Sequence, residues 1–132
     1  MVARMRTRRR RILSATGLLV AACLLQAGGA EAHAIIIGAK PAVNAKVPQG
    51  PLDILLQYNS RIDVSLSRLS LTDPAGKSSV LEAAAGDKPG SLTAHADLDA
   101  PGQWLLRWQV LSIDGHVTRG EIPFTVEAKT AP

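Results

Sequence analysis

The run from Gln103 to Ser112 alternates without interruption: Trp104, Leu106, Trp108 and Val110 share one parity, and Leu105, Arg107, Gln109 and Leu111 share the other. A side-chain period of two sends these sets to opposite faces of an extended strand, and a face that apolar must be covered by a second layer. Shorter runs follow the same rule. Leu52, Ile54, Leu56 and Tyr58 line one face of a strand, Ile122, Phe124 and Val126 another, and Ile35–Ile37, Val80–Leu81 and Leu92–Leu98 read as shorter or weaker strands. Lys40-Pro41, Pro48–Pro51, Asp73-Pro74-Ala75-Gly76 and Pro101-Gly102 break the chain between them, because proline and glycine supply the dihedrals that turns require. No apolar spacing of three and four is sustained beyond residue 33. About seven short strands in about 100 residues imply an all-β domain of two packed antiparallel sheets with Greek-key connections.

Three local expectations refine this picture. Ile62, Val64 and Leu66 are even-numbered whereas Leu69 and Leu71 are odd, so the strand must gain a residue, and a bulge or bend is expected near Ser67-Arg68. Ala83-Ala84-Ala85 has the makings of a helical turn, which Gly86 and Pro89-Gly90 confine to a loop. Pro123 lies on the outward side of the last strand and suits an edge position, having no N–H to donate.

The first 32 residues obey different rules. Six arginines between Arg4 and Arg11 precede the apolar run Ile12–Leu25, and Ala30-Glu31-Ala32 follows as a small-x-small site. This is the three-part plan of a secretory signal peptide, and its apolar run is shorter than a membrane span requires. Residues 1–32 are therefore expected to be removed, leaving a domain over 33–132. Arg9-Arg10-Arg11-Ile12-Leu13 has the outline of a twin-arginine signal, an outline that any arginine-rich leader shares. Val20-Ala21-Ala22-Cys23 resembles a lipoprotein processing site, but Leu24-Leu25 carry the apolar run past the cysteine.

Cleavage also changes the charge. The whole chain carries +4 with 15 Lys and Arg against 11 Asp and Glu, but six of the basic residues and one acidic residue lie in the leader, leaving a net charge of about −1. A nucleic-acid partner, which the basic total alone would suggest, is thereby excluded. Cys23, Met1 and Met5 leave with the leader too, so the mature chain has neither a disulfide nor a sulfur ligand.

The mature chain retains three histidines, His33, His95 and His116. Cleavage after Ala32 makes His33 the first residue, where its α-amino and ring nitrogens form a covalently joined chelate for one metal. Ser112-Ile113-Asp114-Gly115-His116 follows the strongest strand. In extended backbone Asp114 and His116 leave the same face, and Gly115 lets the chain bend closely. The set is two imidazoles, one amine and one carboxylate. Without sulfur it suits tetragonal Cu(II), and after it Ni(II); Zn(II) gains less from a planar array. His95 has no motif around it and reads as a surface residue.

His33-Ala34, Pro41, the strand Leu52–Tyr58, Asp73-Pro74-Ala75-Gly76 and above all Gly102-Gln103-Trp104-Leu105-Leu106-Arg107-Trp108-Gln109-Val110-Leu111-Ser112-Ile113-Asp114-Gly115-His116, with Gly120 and Phe124-Thr125-Val126 beyond it, resemble the CopC family of copper-resistance proteins. The resemblance implies an immunoglobulin-like β-sandwich in the bacterial periplasm that carries one Cu(II), beside a CopD-type inner-membrane copper importer. It also implies His33, through amine and ring, Asp114 and His116 as the ligands. The chain departs from the family pattern in two places. No methionine follows Met5, which removes any thioether Cu(I) site, and Tyr58-Asn59-Ser60-Arg61-Ile62 stands where many relatives carry a glutamate.

The expected function is that of a monomeric copper carrier or buffer rather than an enzyme. A histidine-brace oxidative enzyme is the alternative with catalysis, although Asp114 would fill a position that oxygen chemistry needs open. A metal-free β-sandwich interaction module is the alternative without metal.

Overall fold

The computed structural model describes residues 34–130. The expected leader at 1–32 and His33 lie outside the described residues. Alternation decides the layers. In β8 (Gly102–Ser112), Trp104, Leu106, Trp108 and Val110 are buried while Gln103 and Arg107 are exposed. β9 (Val117–Glu127) runs antiparallel beside it and buries Ile122, Phe124 and Val126 on the same side. β4 (Ile62–Thr72) pairs with the other edge of β8, and β5 (Ser78–Leu81) pairs with β4. With β2 (Lys46–Pro48) outside β9, the five-stranded sheet has the order β2-β9-β8-β4-β5.

The second sheet has the order β1-β3-β7-β6, made of β1 (Ile36–Lys40), β3 (Gly50–Tyr58), β7 (Ser91–Leu98) and β6 (Ala84–Ala85). Ile54, Leu56 and Tyr58 of β3 and Leu92, Ala94 and Leu98 of β7 close the core from this side. Burying each large aliphatic side chain contributes roughly 1.5–3 kcal/mol, and aliphatics make up most of the core. The aromatic exception is central: Tyr58 and Trp108 meet edge to face with ring centroids 5.3 Å apart. Gly120 faces Trp108 across β8 and β9, where an added Cβ would lie 2.3 Å from the indole Cζ2. Only glycine lets the ring sit there.

The architecture is the all-β sandwich read from the sequence, with four refinements. β4 carries the expected irregularity, between Asp63 and Arg68, where five residue steps of β4 face two of β8. Asp63 organises it: its Oδ1 accepts from Ser65 Oγ and Leu66 N, and its carbonyl accepts from Ser67 Oγ. Ala84-Ala85 is a short strand paired with Leu92 and Thr93 rather than part of a loop, since an open edge of β7 offers its backbone better partners than one isolated helical turn. The break at Pro48–Pro51 is narrower than expected, because β2 ends at Pro48 and β3 begins at Gly50. β2 joins β9 in parallel through Thr125–Glu127, which leaves Pro123 just outside the covered stretch, its carbonyl accepting from Asn44 N.

Candidate metal centre

The hairpin between β8 and β9 consists of Ile113, Asp114, Gly115 and His116. It is a tight turn, not the extended backbone expected for the Asp-x-His spacing: Gly115 has φ 89, and Gly115 N donates to Ser112 O at 2.9 Å. Ser112 N closes the hairpin onto His116 O at 2.9 Å, and Ile113 N ties it to Arg61 O at 3.1 Å. A positive φ at this position is cheap for glycine alone, so the turn between the two side chains depends on Gly115.

Within the turn Asp114 is held from three directions. The buried Ser112 hydroxyl donates to Asp114 Oδ1, His116 N donates to the same oxygen at 3.1 Å, and Asp114 Oδ2 lies 3.1 Å from His116 Nδ1. These partners, Ser112 first, then the His116 amide and finally its ring, push the Asp114 carboxyl down to about 2. The group is a fixed carboxylate at any physiological pH. Both side chains remain open to solvent, His116 with 44% of its side chain exposed and Asp114 with 26%.

The nitrogen and oxygen of this pair stand at a separation that a metal accommodates. Two donors at about 2.0 Å from one ion lie about 2.8 Å apart at a right angle and about 3.3 Å apart at a tetrahedral one. The observed 3.1 Å falls between these values, and an ion taking both donors would have to displace the proton that the buried His116 Nδ1 shares with the carboxylate. Two donors do not complete a site, and among the described residues no group of three His, Cys, Asp or Glu converges. His33, the third residue of the predicted set, is outside the description.

Its neighbour is not. Ala34 is buried, and its carbonyl accepts from Thr118 Oγ1 at 3.0 Å, two residues beyond His116. Ile35 is fastened through both backbone groups to Asn59, whose Oδ1 accepts from Ile35 N at 2.8 Å and whose N donates to Ile35 O at 2.9 Å. The start of the described chain is thus bound to the same end of the sandwich as the Asp-Gly-His hairpin.

A model of the CopC domain matches residues 36–127. The chain belongs to the CopC family. The match contains Asp114 and His116 and begins after His33. Protein YobA of Escherichia coli (strain K12) is 31% identical over 99 residues, covering 73% of this chain and 80% of that protein. Among solved structures, CopC from Methylosinus trichosporium OB3b superposes with a TM-score of 0.69 at 31% identity, over 76% of this chain and 99% of that one. PcoC, a methionine-rich copper resistance protein from Escherichia coli, shares the fold with a TM-score of 0.60 at 22% identity, over 73% of this chain and 100% of its own.

Three residues that hold this hairpin and the start of the described chain have little or no signature in the sequence: Ser112, Asn59 and Thr118. Ser112 carries the one available signal, since a serine at the parity of Trp104 to Val110 is a polar group placed in a core row. Asn59 and Thr118 act on backbone far away in sequence and carry none. His95 is exposed as expected, on the outer face of β7, with Asp53 opposite on β3.

Proposed function

We propose that the protein is an exported, periplasmic copper carrier or buffer. It holds one Cu(II) through the amine and ring of His33, the ring of His116 and the carboxylate of Asp114, as a monomer that delivers to a CopD-type importer in the inner membrane. Membership of the CopC family supports a copper-related role. The observation that carries the site is that one hairpin pins Asp114 against His116 while Thr118, two residues on, holds the carbonyl of Ala34. The residue covalently attached to Ala34 is His33, which makes it the nearest further donor along the chain to the Ala34 anchor. Organising ligands before the ion arrives lowers the entropy cost of binding.

The donor chemistry favours Cu(II) over Cu(I), because no thiol or thioether survives removal of the leader. It favours cargo handling over turnover, because a fixed carboxylate beside two histidines occupies a position that oxygen activation requires free. Copper titration of protein processed to begin at His33 tests the reading. One Cu(II) per chain is expected at neutral pH. His33→Ala should weaken binding by about 100-fold or more, at the upper end of the effect of removing a metal-site partner. One alanine added before His33 turns the amine into an amide and should weaken binding in the same direction. Affinity unchanged in both variants would remove His33 from the site.

A further inference from the structure

Away from the hairpin, the solvent face of the five-stranded sheet gathers a net positive charge. The register of β4, β8 and β9 sets six outward side chains in two rows: Arg68, Gln109 and Arg119 in one, Ser70, Arg107 and Glu121 in the next. They line an open depression of about 450 Å³. Three guanidinium groups against one carboxylate leave two positive charges there, in a domain whose balance beyond residue 32 is about −1.

The internal bonds of this face leave donors available. Arg107 uses its Nε on Glu121 Oε1 at 2.9 Å, and Arg119 uses its Nε on Gln109 Oε1 at 2.8 Å, so the terminal nitrogens of both remain unengaged by described residues. The Arg68 side chain makes no hydrogen bond or ion pair with any described residue. Its direction is set by the irregularity of β4. The surplus of residues between Asp63 and Arg68 is odd, so even-numbered positions that are partly buried at Ile62 and Val64 become outward at Arg68 and Ser70. A regular strand would aim Arg68 into the core; the bulge aims it beside Gln109.

A guanidinium is a planar fork matched to the oxygens of an oxyanion, and several around one concavity favour a ligand with several oxygens and more than one negative charge. The geometry points to a phosphate-binding depression, in which a discrete phosphate-type dianion is held by Arg68 and Arg119 with Arg107 beside them. The alternative occupant of a basic face, an anionic lipid surface, is disfavoured because two net charges attract such a surface only weakly.

The exported domain should be titrated with inorganic phosphate at constant ionic strength while the amide resonances are followed by NMR. Saturable shifts are expected at Gln109, Arg119 and their neighbours. Arg68→Gln with Arg119→Gln together should weaken the response at least about tenfold, and Glu121→Gln should strengthen it several-fold by freeing Arg107. Copper titration of the same variants should be unchanged, which reports an intact fold. Absence of a saturable phosphate response overturns the proposal, as does an equal response in the double variant. Sedimentation with phosphatidylglycerol vesicles without any response to phosphate also overturns it and assigns the face to a membrane.

Discussion

Two histidines among the described residues each stand beside an aspartate, and the two pairs differ in how firmly the carboxylate is held. His95 Nδ1 is 2.5 Å from Asp53 Oδ1, closer than His116 Nδ1 is to Asp114 Oδ2 at 3.1 Å. Proximity therefore does not mark the site. Both members of the β3–β7 pair project from the sheet with more than four-fifths of their side chains exposed, and Asp53 has no other hydrogen bond among the described residues. Asp114 is held by the Ser112 hydroxyl and the His116 amide before the ring is considered, inside a turn closed by three backbone bonds. An exposed pair gains little and fluctuates, whereas a carboxylate locked by further bonds presents one fixed geometry to an ion.

The contrast breaks first if the two histidines prove equivalent. His116→Ala should weaken Cu(II) binding by about 100-fold or more, while His95→Ala should change it less than about twofold; competition titration against a chelator measures both. A smaller effect, about 10-fold, is expected from Ser112→Ala, which keeps every proposed ligand but releases Asp114. If Ser112→Ala binds as tightly as the parent protein, the hairpin is not a preorganised site and the comparison with His95 loses its meaning.

The subtlest test is pH dependence in the metal-free protein. A carboxyl pushed down to about 2 in the folded state, from an ordinary value near 3.8, contributes stability that is fully present above the ordinary value and lost as pH falls through the folded one. The stability difference between the parent and Asp114→Asn should be present at pH 5 and close as pH approaches 2. Denaturant unfolding at a series of pH values reads this directly. A difference that closes already near pH 4 would mean that Ser112 and the His116 amide do not hold the carboxylate.

How much of this was legible in the sequence depended on whether a pattern had a period. The inward faces of β3, β8 and β9 followed from parity because one side of each strand is dry. The bulge in β4 was legible in place but not in size, since one extra residue and three extra residues reverse parity identically. β6 was invisible: two alanines have no period, and their pairing is set by Leu92 and Thr93. β2 depends on a parallel alignment with residues nearly eighty positions away. At the candidate site, the hairpin does bring together the two side chains of the Asp-Gly-His motif, but through a turn at Gly115 and not through extended backbone. The anchors Asn59 and Thr118 act through single side chains on distant backbone, and no local rule anticipates such contacts.

The bond from Thr118 to the Ala34 carbonyl has a thermodynamic consequence. It joins the start of the described residues to the last strand in a domain that has no cysteine to form a disulfide. An ion bridging His33 to the hairpin would act in parallel with that bond as a removable cross-link between the two ends of the fold. Because a ligand that binds only the native state stabilises it by mass action, free copper at about 100 times its dissociation constant would add roughly 2.7 kcal/mol. The copper-free and copper-loaded forms would then differ in their resistance to unfolding and proteolysis, and a periplasm short of copper would hold the more fragile of the two.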